Sequence, residues 1–232
     1  MNAQHGAGDT GPVTLTVAGT GQVLRPRPRH LVIGGYTGRD EAAVRAHIDE
    51  LAAIGVPPPP EVPAFYLLPP ALLTTAEVIE VGGDHTSGEV EPVLFRVDGR
   101  YYLGVGSDHT DRDLEREDIG RAKAACPKPA GSAVVPLPPD PAAADWDAIE
   151  MTCRVDGVAY QKGTLAALRT PGDLLARLPG PAGGPGDDLV LFCGTLPLLT
   201  GKFVAGREWR LELRRPGGPV LSLGYEAKRS AA

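Results

Sequence analysis

Glu89-Val90-Glu91-Pro92-Val93-Leu94-Phe95-Arg96-Val97, then Asp98-Gly99, then Tyr101-Tyr102-Leu103-Gly104-Val105, is the stretch on which the fold turns. Two apolar, β-prone runs flank an Asp-Gly dipeptide, the sequence signal of a tight hairpin. Side chains alternate along a strand, so Glu89 and Glu91 fall on one face. The returning strand ends at Ser107-Asp108-His109-Thr110-Asp111-Arg112-Asp113 and brings Asp108 back beside the first strand's carboxylates. Carboxylates this close repel unless a cation lies among them, and no Lys or Arg separates Glu89 from Glu91. The hairpin therefore predicts an oxygen-ligated hard cation, Mg²⁺ or Mn²⁺, held by Glu89, Glu91 and Asp108. The plainer alternative is a solvated strand face with a turn aspartate. A zinc site using His85 and His109 is a further alternative.

Outward from the hairpin, short strands and turns dominate. Val13–Val17 alternates apolar and polar, and His30–Gly35 is a β-branched run ending in glycines. A helix follows, with Asp40 as its cap and Val44, Ile48 and Leu51 as its apolar stripe. Gly55 and Pro57–Pro60 end it. Val62–Leu68 and Val78–Val81 read as extended. Leu114–Ala125 reads as one helix, and Pro127–Pro141 as a surface-exposed, proline-rich connector. A second hairpin turns on Asp156-Gly157, joining Ile149–Val155 to Val158–Gln161. Thr170-Pro171 opens a short helix, and a Gly/Pro loop, Pro179–Gly186, leads to a strand at Leu189–Gly194. Trp209–Leu213 and Val220–Tyr225 close the pattern. The fold class is α+β, with an N-terminal strand and helix region at 1–80 and a β-rich region at 81–232.

Composition narrows the function. The 30 glycines and 24 prolines favour turns and short strands. A net charge of −6 without any Lys/Arg cluster argues against nucleic acid or an anionic membrane as partner. No apolar run approaches a membrane-spanning length, and the polar opening Met1–Gly11 does not resemble a secretion signal. Cys126, Cys153 and Cys193 are odd in number and lack a C-x-x-C pair, which fits a reducing, cytoplasmic setting and buried apolar roles.

The order of these pieces, roughly from residue 31 to 225, resembles the fumarylacetoacetate hydrolase superfamily. Its members are divalent-metal enzymes that hydrolyse, decarboxylate or isomerise 2-oxo or 1,3-dicarbonyl acids. Glu89-Val90-Glu91 resembles that family's metal-binding E-x-E strand. Asp108 to Asp113 is similar to its D-x-x-x-R-D, whose first Asp is the third ligand. By the same resemblance Lys123 contacts substrate, with Arg112 close by. Asp156-Gly157 with Gln161 resembles an N-G-x-x-x-Q turn. Gly186-Asp187 to Gly194-Thr195 is similar to a G-D-x-I…G-T segment whose backbone and threonine meet a substrate carboxylate. His47 and Glu50 match the H-x-x-E of a lid helix, as general base and orienting partner. The resemblance implies a β-roll or barrel, a homodimer and a small carboxylic-acid substrate. Three departures stand out: Gly35-Tyr36-Thr37-Gly38 replaces a G-x-N-Y signature, Leu68 replaces a lysine, and only 16 residues separate Glu91 from Asp108.

From the residues alone, each assignment has a plain counterpart. His47 could be a core histidine on the apolar stripe, Lys123 a surface charge, and Thr195 part of a strand-end turn. Arg112 could simply pair with a neighbouring carboxylate. Two functions follow: a metal-dependent C–C hydrolase or related lyase, or a non-catalytic β-rich domain binding a small ligand or a protein through a structural acidic cluster.

Overall fold

The computed structural model describes residues 13–53, 56–183 and 187–230. The chain opens with β1 (Leu15–Val17), β2 (Val23–Leu24) and β3 (His30–Gly35). Helix α1 (Glu41–Ala53) follows, and Asp40 Oδ1 accepts hydrogen bonds from the backbone N–H groups of Ala42 and Ala43 at 3.0 and 3.1 Å. This satisfies donors that the first helical turn leaves unpaired. Next come β4 (Ala64–Leu68), β5 (Leu73–Thr74), β6 (Val78–Val81) and β7 (Thr86–Ser87).

The deciding hairpin is β8 (Val90–Val97) and β9 (Arg100–Ser107), paired from Val90↔Ser107 to Val97↔Arg100. Asp98 and Gly99 take φ 49° and 74°, the left-handed pair that a two-residue turn requires. β10 (Thr110–Asp111) then pairs with β7. The expected single helix is two, α2 (Arg112–Glu115) and α3 (Ile119–Ala124). Asp118 divides them, because its carboxylate accepts from Arg121 N at 2.9 Å and starts the second helix afresh.

The expected proline-rich connector is also different. It contains β11 (Lys128–Pro129), paired with β5, and β12 (Ala133–Pro136), which lies between β1 and β9 inside the larger sheet. The prolines bracket Ala133-Val134-Val135 instead of interrupting it, so the ladder survives. β13 (Glu150–Val155) and β14 (Val158–Thr164) form the second hairpin, and α4 (Pro171–Arg177) begins at Thr170. β15 (Leu189–Phe192), β16 (Glu208–Arg214) and β17 (Val220–Arg229) complete the chain. The expected roles of Gly55 and of Gly186 fall outside the described residues.

The result is α+β with two main sheets. One has eight strands, ordered β2-β1-β12-β9-β8-β15-β3-β4; the other has five, ordered β14-β13-β16-β17-β6. Both are open, and no closed barrel is formed among the described residues. The larger sheet takes strands from both sides of residue 80, and β6, which spans that position, joins the five-stranded sheet. Trp209, Tyr225, Met151 and Val105 join the five-stranded sheet to the hairpin, while Val93, Phe95 and Phe192 build a second core on the larger sheet. Every residue of β8 is buried, so the hairpin is the fixed centre from which the acidic side chains project.

Candidate active site

An open cavity of about 1230 Å³ lies where the start of β8, the end of β15 and helix α1 converge. Glu89, Glu91, Arg112, Glu115 and Lys123 line one end. Glu91 is buried, and its Oε2 accepts the backbone N–H of Gly194 at 2.8 Å. Gly194 has φ 98°, and a side chain there would meet the Thr37 hydroxyl at 1.7 Å. A glycine is therefore required both by conformation and by space.

Asp108 is fully buried one layer behind this wall. The Lys123 ammonium lies directly on its Oδ2, and Lys128 Nζ stands 3.3 Å from Oδ1. Burial alone would raise the Asp108 pKa, but these two ammonium groups hold it below the ordinary carboxylate value. Burial raises the Glu91 pKa well above its ordinary value, and the charge on Asp108 adds to the effect. Burial likewise raises Glu89, against the pull of Arg112. Neighbouring carboxyl groups are thus driven apart, one firmly ionised and one inclined to hold a proton.

Several expected substrate contacts are already engaged. Arg112 Nη2 meets Glu89 Oε2 at 3.0 Å, its Nη1 meets both Glu115 oxygens at 2.9 and 3.0 Å, and its Nε donates to Ser87 Oγ at 2.7 Å. Arg112 positions Glu89, and the ring of Phe203 covers it 3.7 Å from the guanidinium carbon. Gln161 is fully buried; its Oε1 accepts from Val90 N at 2.9 Å and its Nε2 donates to Thr195 Oγ1 at 2.8 Å and to Leu196 O at 2.7 Å. It braces the wall from behind and does not line the cavity. Thr195 lines it, with its hydroxyl donating to Val90 O at 2.7 Å.

The roof is different. His47 and Glu50 line the cavity from α1, with 61% and 79% of their side chains exposed and Nδ1 3.8 Å from Oε2. His47 is therefore no core histidine; the buried face of the helix is Ile48.

Sequence reasoning missed Lys128 and Glu115. Lys128 is fully buried and donates to the backbone carbonyls of His109, Lys123 and Cys126, the last at 3.2 Å. It ties the segment carrying Asp108 to the helix carrying Lys123. A signal existed, since Pro127 and Pro129 flank it and restrict the chain to extended backbone. Glu115 could have been found from its i,i+3 relation to Arg112.

The donor set is oxygen-only, suited to a hard divalent cation. As arranged, the acidic groups do not enclose an ion: no three His, Cys, Asp or Glu side chains among the described residues are grouped closely enough, and the Lys123 ammonium stands against Asp108. The expected zinc alternative is not assembled either. His109 is buried between Tyr225 OH, 2.9 Å away, and Thr86 Oγ1, 3.0 Å away, whereas His85 is exposed and pairs with Asp113 at 2.9 Å.

A family model described as "Protein of unknown function (DUF2848)" matches residues 34–225. The chain belongs to that family. No curated protein sequence matches it. Among solved structures, the DUF2848 chain is similar to fumarylpyruvate hydrolase from Pseudomonas aeruginosa in complex with Mn²⁺ and pyruvate. The identity is 20%, the TM-score 0.60, and the match covers 94% of this chain and 97% of that one. It is similar to 5-carboxymethyl-2-hydroxymuconate delta-isomerase from Mycobacterium smegmatis at 18% identity and TM-score 0.56, over 91% and 84% of the two chains. It also resembles a protein from Burkholderia cenocepacia provisionally assigned as fumarylpyruvate hydrolase, at 16% identity and TM-score 0.62, over 95% and 93%. The fold is that of the fumarylacetoacetate hydrolase type, as the order of motifs implied. Among the described residues no helix is long and apolar enough to cross a membrane.

Proposed function

We propose that this chain is a divalent-metal-dependent enzyme acting on a 2-oxo or 1,3-dicarbonyl acid, as a C–C hydrolase or a related lyase, decarboxylase or isomerase. The observation that carries the reading is the convergence of Glu89 and Glu91 on one cavity end, with Asp108 directly behind Lys123. The raised pKa values of Glu89 and Glu91 support it, since a bound cation would relieve their burial and mutual repulsion. The Mn²⁺- and pyruvate-bound neighbour of the same fold supports it as well.

Glu89, Glu91 and Asp108 would hold Mg²⁺ or Mn²⁺, an arrangement that requires the Lys123 ammonium to move off Asp108. When bound, the metal supplies Lewis-acid stabilisation of the negative charge that develops on an enolate oxygen. Lys123 would then offer N–H donors to the substrate's oxygens at the same end. Arg112 keeps the Glu89 carboxylate fixed, and Gly194 N–H does the same for Glu91. From the roof, His47 accepts a proton from water at a ring nitrogen while Glu50 orients the imidazole, a contribution of ~10²–10⁴-fold. A small carboxylic acid as ligand, a homodimer and a cytoplasmic setting belong to this proposal.

A second reading has an observation of its own. The chain's own cations, Lys123 and Lys128 on Asp108 and Arg112 on Glu89, already neutralise much of the acidic cluster. That arrangement favours a non-catalytic binding domain. Thermal unfolding separates the two. Millimolar Mn²⁺ or Mg²⁺ should raise the melting temperature of the wild type, and Glu91→Ala should remove the rise while leaving the protein folded. No rise in the wild type would favour the binding domain.

A further inference from the structure

The cavity lining has two chemical characters. Beside the carboxylates it offers apolar surface: Val44 and Leu51 from α1, Ile119 from α3, then Leu168, Leu196 and Leu198. At about 1230 Å³ it exceeds the ~300–1,000 Å³ usual for small-molecule sites. A ligand the size of pyruvate would leave most of that wall wet.

The cations around the cavity indicate what else the ligand carries. Arg39 is held by a bidentate pair with Asp147 at 2.7 and 3.0 Å and by Leu168 O at 3.1 Å. Arg112 and Lys123 are committed to carboxylates at the acidic end. Among the described residues lining the cavity, Lys202 is the cation without an ion pair, and it is exposed in the loop beside Phe203. Lys202 is the one of these cations left to meet a second carboxylate on the ligand, and the two roof carboxylates, Asp40 and Glu50, outnumber it and oppose such a charge.

We propose that the ligand is a 2-oxo acid bearing an uncharged, apolar substituent of several carbons, and not a dicarboxylate. Its acid end would meet Lys123 and the divalent cation that Glu89 and Glu91 would hold, and its tail lies along Val44, Leu51, Ile119 and Leu198. This rests on the function proposed above and names the substrate class for the same site.

The test is calorimetric titration of the full chain in millimolar Mn²⁺ with pyruvate, 2-oxoheptanoate and 2-oxoadipate. Burial of a methylene is worth about fourfold in affinity, so 2-oxoheptanoate should bind at least tenfold tighter than pyruvate even with partial coverage. The dicarboxylate 2-oxoadipate should bind no tighter than pyruvate. Val44→Asp places a charge on the wall along which the tail lies and should cut the advantage of 2-oxoheptanoate over pyruvate to less than threefold. Equal affinity for pyruvate and 2-oxoheptanoate, tighter binding of 2-oxoadipate, or a tail advantage that survives Val44→Asp would each overturn the proposal while the metal-dependent reading stands. Failure of all three acids to bind would instead remove the enzyme reading itself.

Discussion

The floor and the roof of the cavity are built in opposite ways. On the floor, Glu91, Asp108, Lys123 and Lys128 are all buried, and each polar head is fixed by named partners. On the roof, α1 buries Ile48 alone, and His47 and Glu50 face solvent across the cavity. The roof is fastened at its base, where Arg39 N donates to Ala167 O at 2.9 Å and Arg169 Nη2 meets Glu41 Oε1 at 2.8 Å. A rigid, dehydrated floor keeps charges at fixed separations. A lightly packed roof can adjust to what enters. Positioning and adaptability are thereby assigned to different elements.

The contrast is tested hardest at Lys128. Lys128→Met leaves three carbonyls and Asp108 without their shared cation, and breaking a buried pair in this way costs about 3–5 kcal/mol. Urea unfolding should show that loss, and a loss below ~1 kcal/mol would mean the floor is not rigid in the sense described. Gly194→Ala comes next. The added methyl meets Thr37 and requires φ 98°, so about 2–4 kcal/mol should be lost. Gly99→Ala is the control: its φ is 74° but its surroundings are open, so only the conformational cost of about 1 kcal/mol remains.

The same contrast explains what could be read in advance. The β8–β9 hairpin, the Asp40 cap and the acidic cluster depend on neighbours in sequence, and local patterns record them. β12 was hidden because prolines on both sides suggested a connector, while its place between β1 and β9 is decided by pairing across distant segments. Lys128 was hidden for a similar reason, since a lysine becomes a buried strut only through carbonyls that the fold brings together. The residues alone pointed to Arg112 pairing with a neighbouring carboxylate, and it pairs with Glu89 and Glu115; the bracing role of Gln161 was hidden because hydrogen-bond commitments do not appear in spacing. The gathering of Glu89, Glu91 and Asp108 was legible from the hairpin, but the insertion of Lys123 against Asp108 was not.

Acidification probes the floor more gently. Burial, with Lys128 and Arg112 nearby, lowers the His109 pKa to about 3, against an ordinary value of 6.5. Between those values the unfolded chain binds a proton that the folded one refuses, so stability falls as the pH drops through this window. The slope contributed is at most about 1.4 kcal/mol per pH unit. Glu91 acts in the opposite sense: its folded pKa is raised, so the stability it adds is present at low pH and lost as the pH rises through the folded value. The two are separated by comparing urea midpoints of the metal-free wild type and His109→Gln from pH 6.5 to 4.5. The variant should lose less stability over that interval, and parallel curves would show that His109 titrates normally.

The smallest stability effect belongs to the roof, and there it is the informative result. His47 and Glu50 are exposed and 3.8 Å apart, and surface pairs of this kind contribute ~0–1 kcal/mol. His47→Gln should therefore shift the urea midpoint by no more than ~0.5 kcal/mol. If the imidazole takes a proton from water during the reaction, the same change should lower kcat by ~10²-fold or more with little change in KM. Glu50→Gln, which removes only the orienting charge, should lower it less. A variant at position 47 that unfolds the protein would show that α1 is a structural element, and the division between fixed floor and adaptable roof would fail at its upper half.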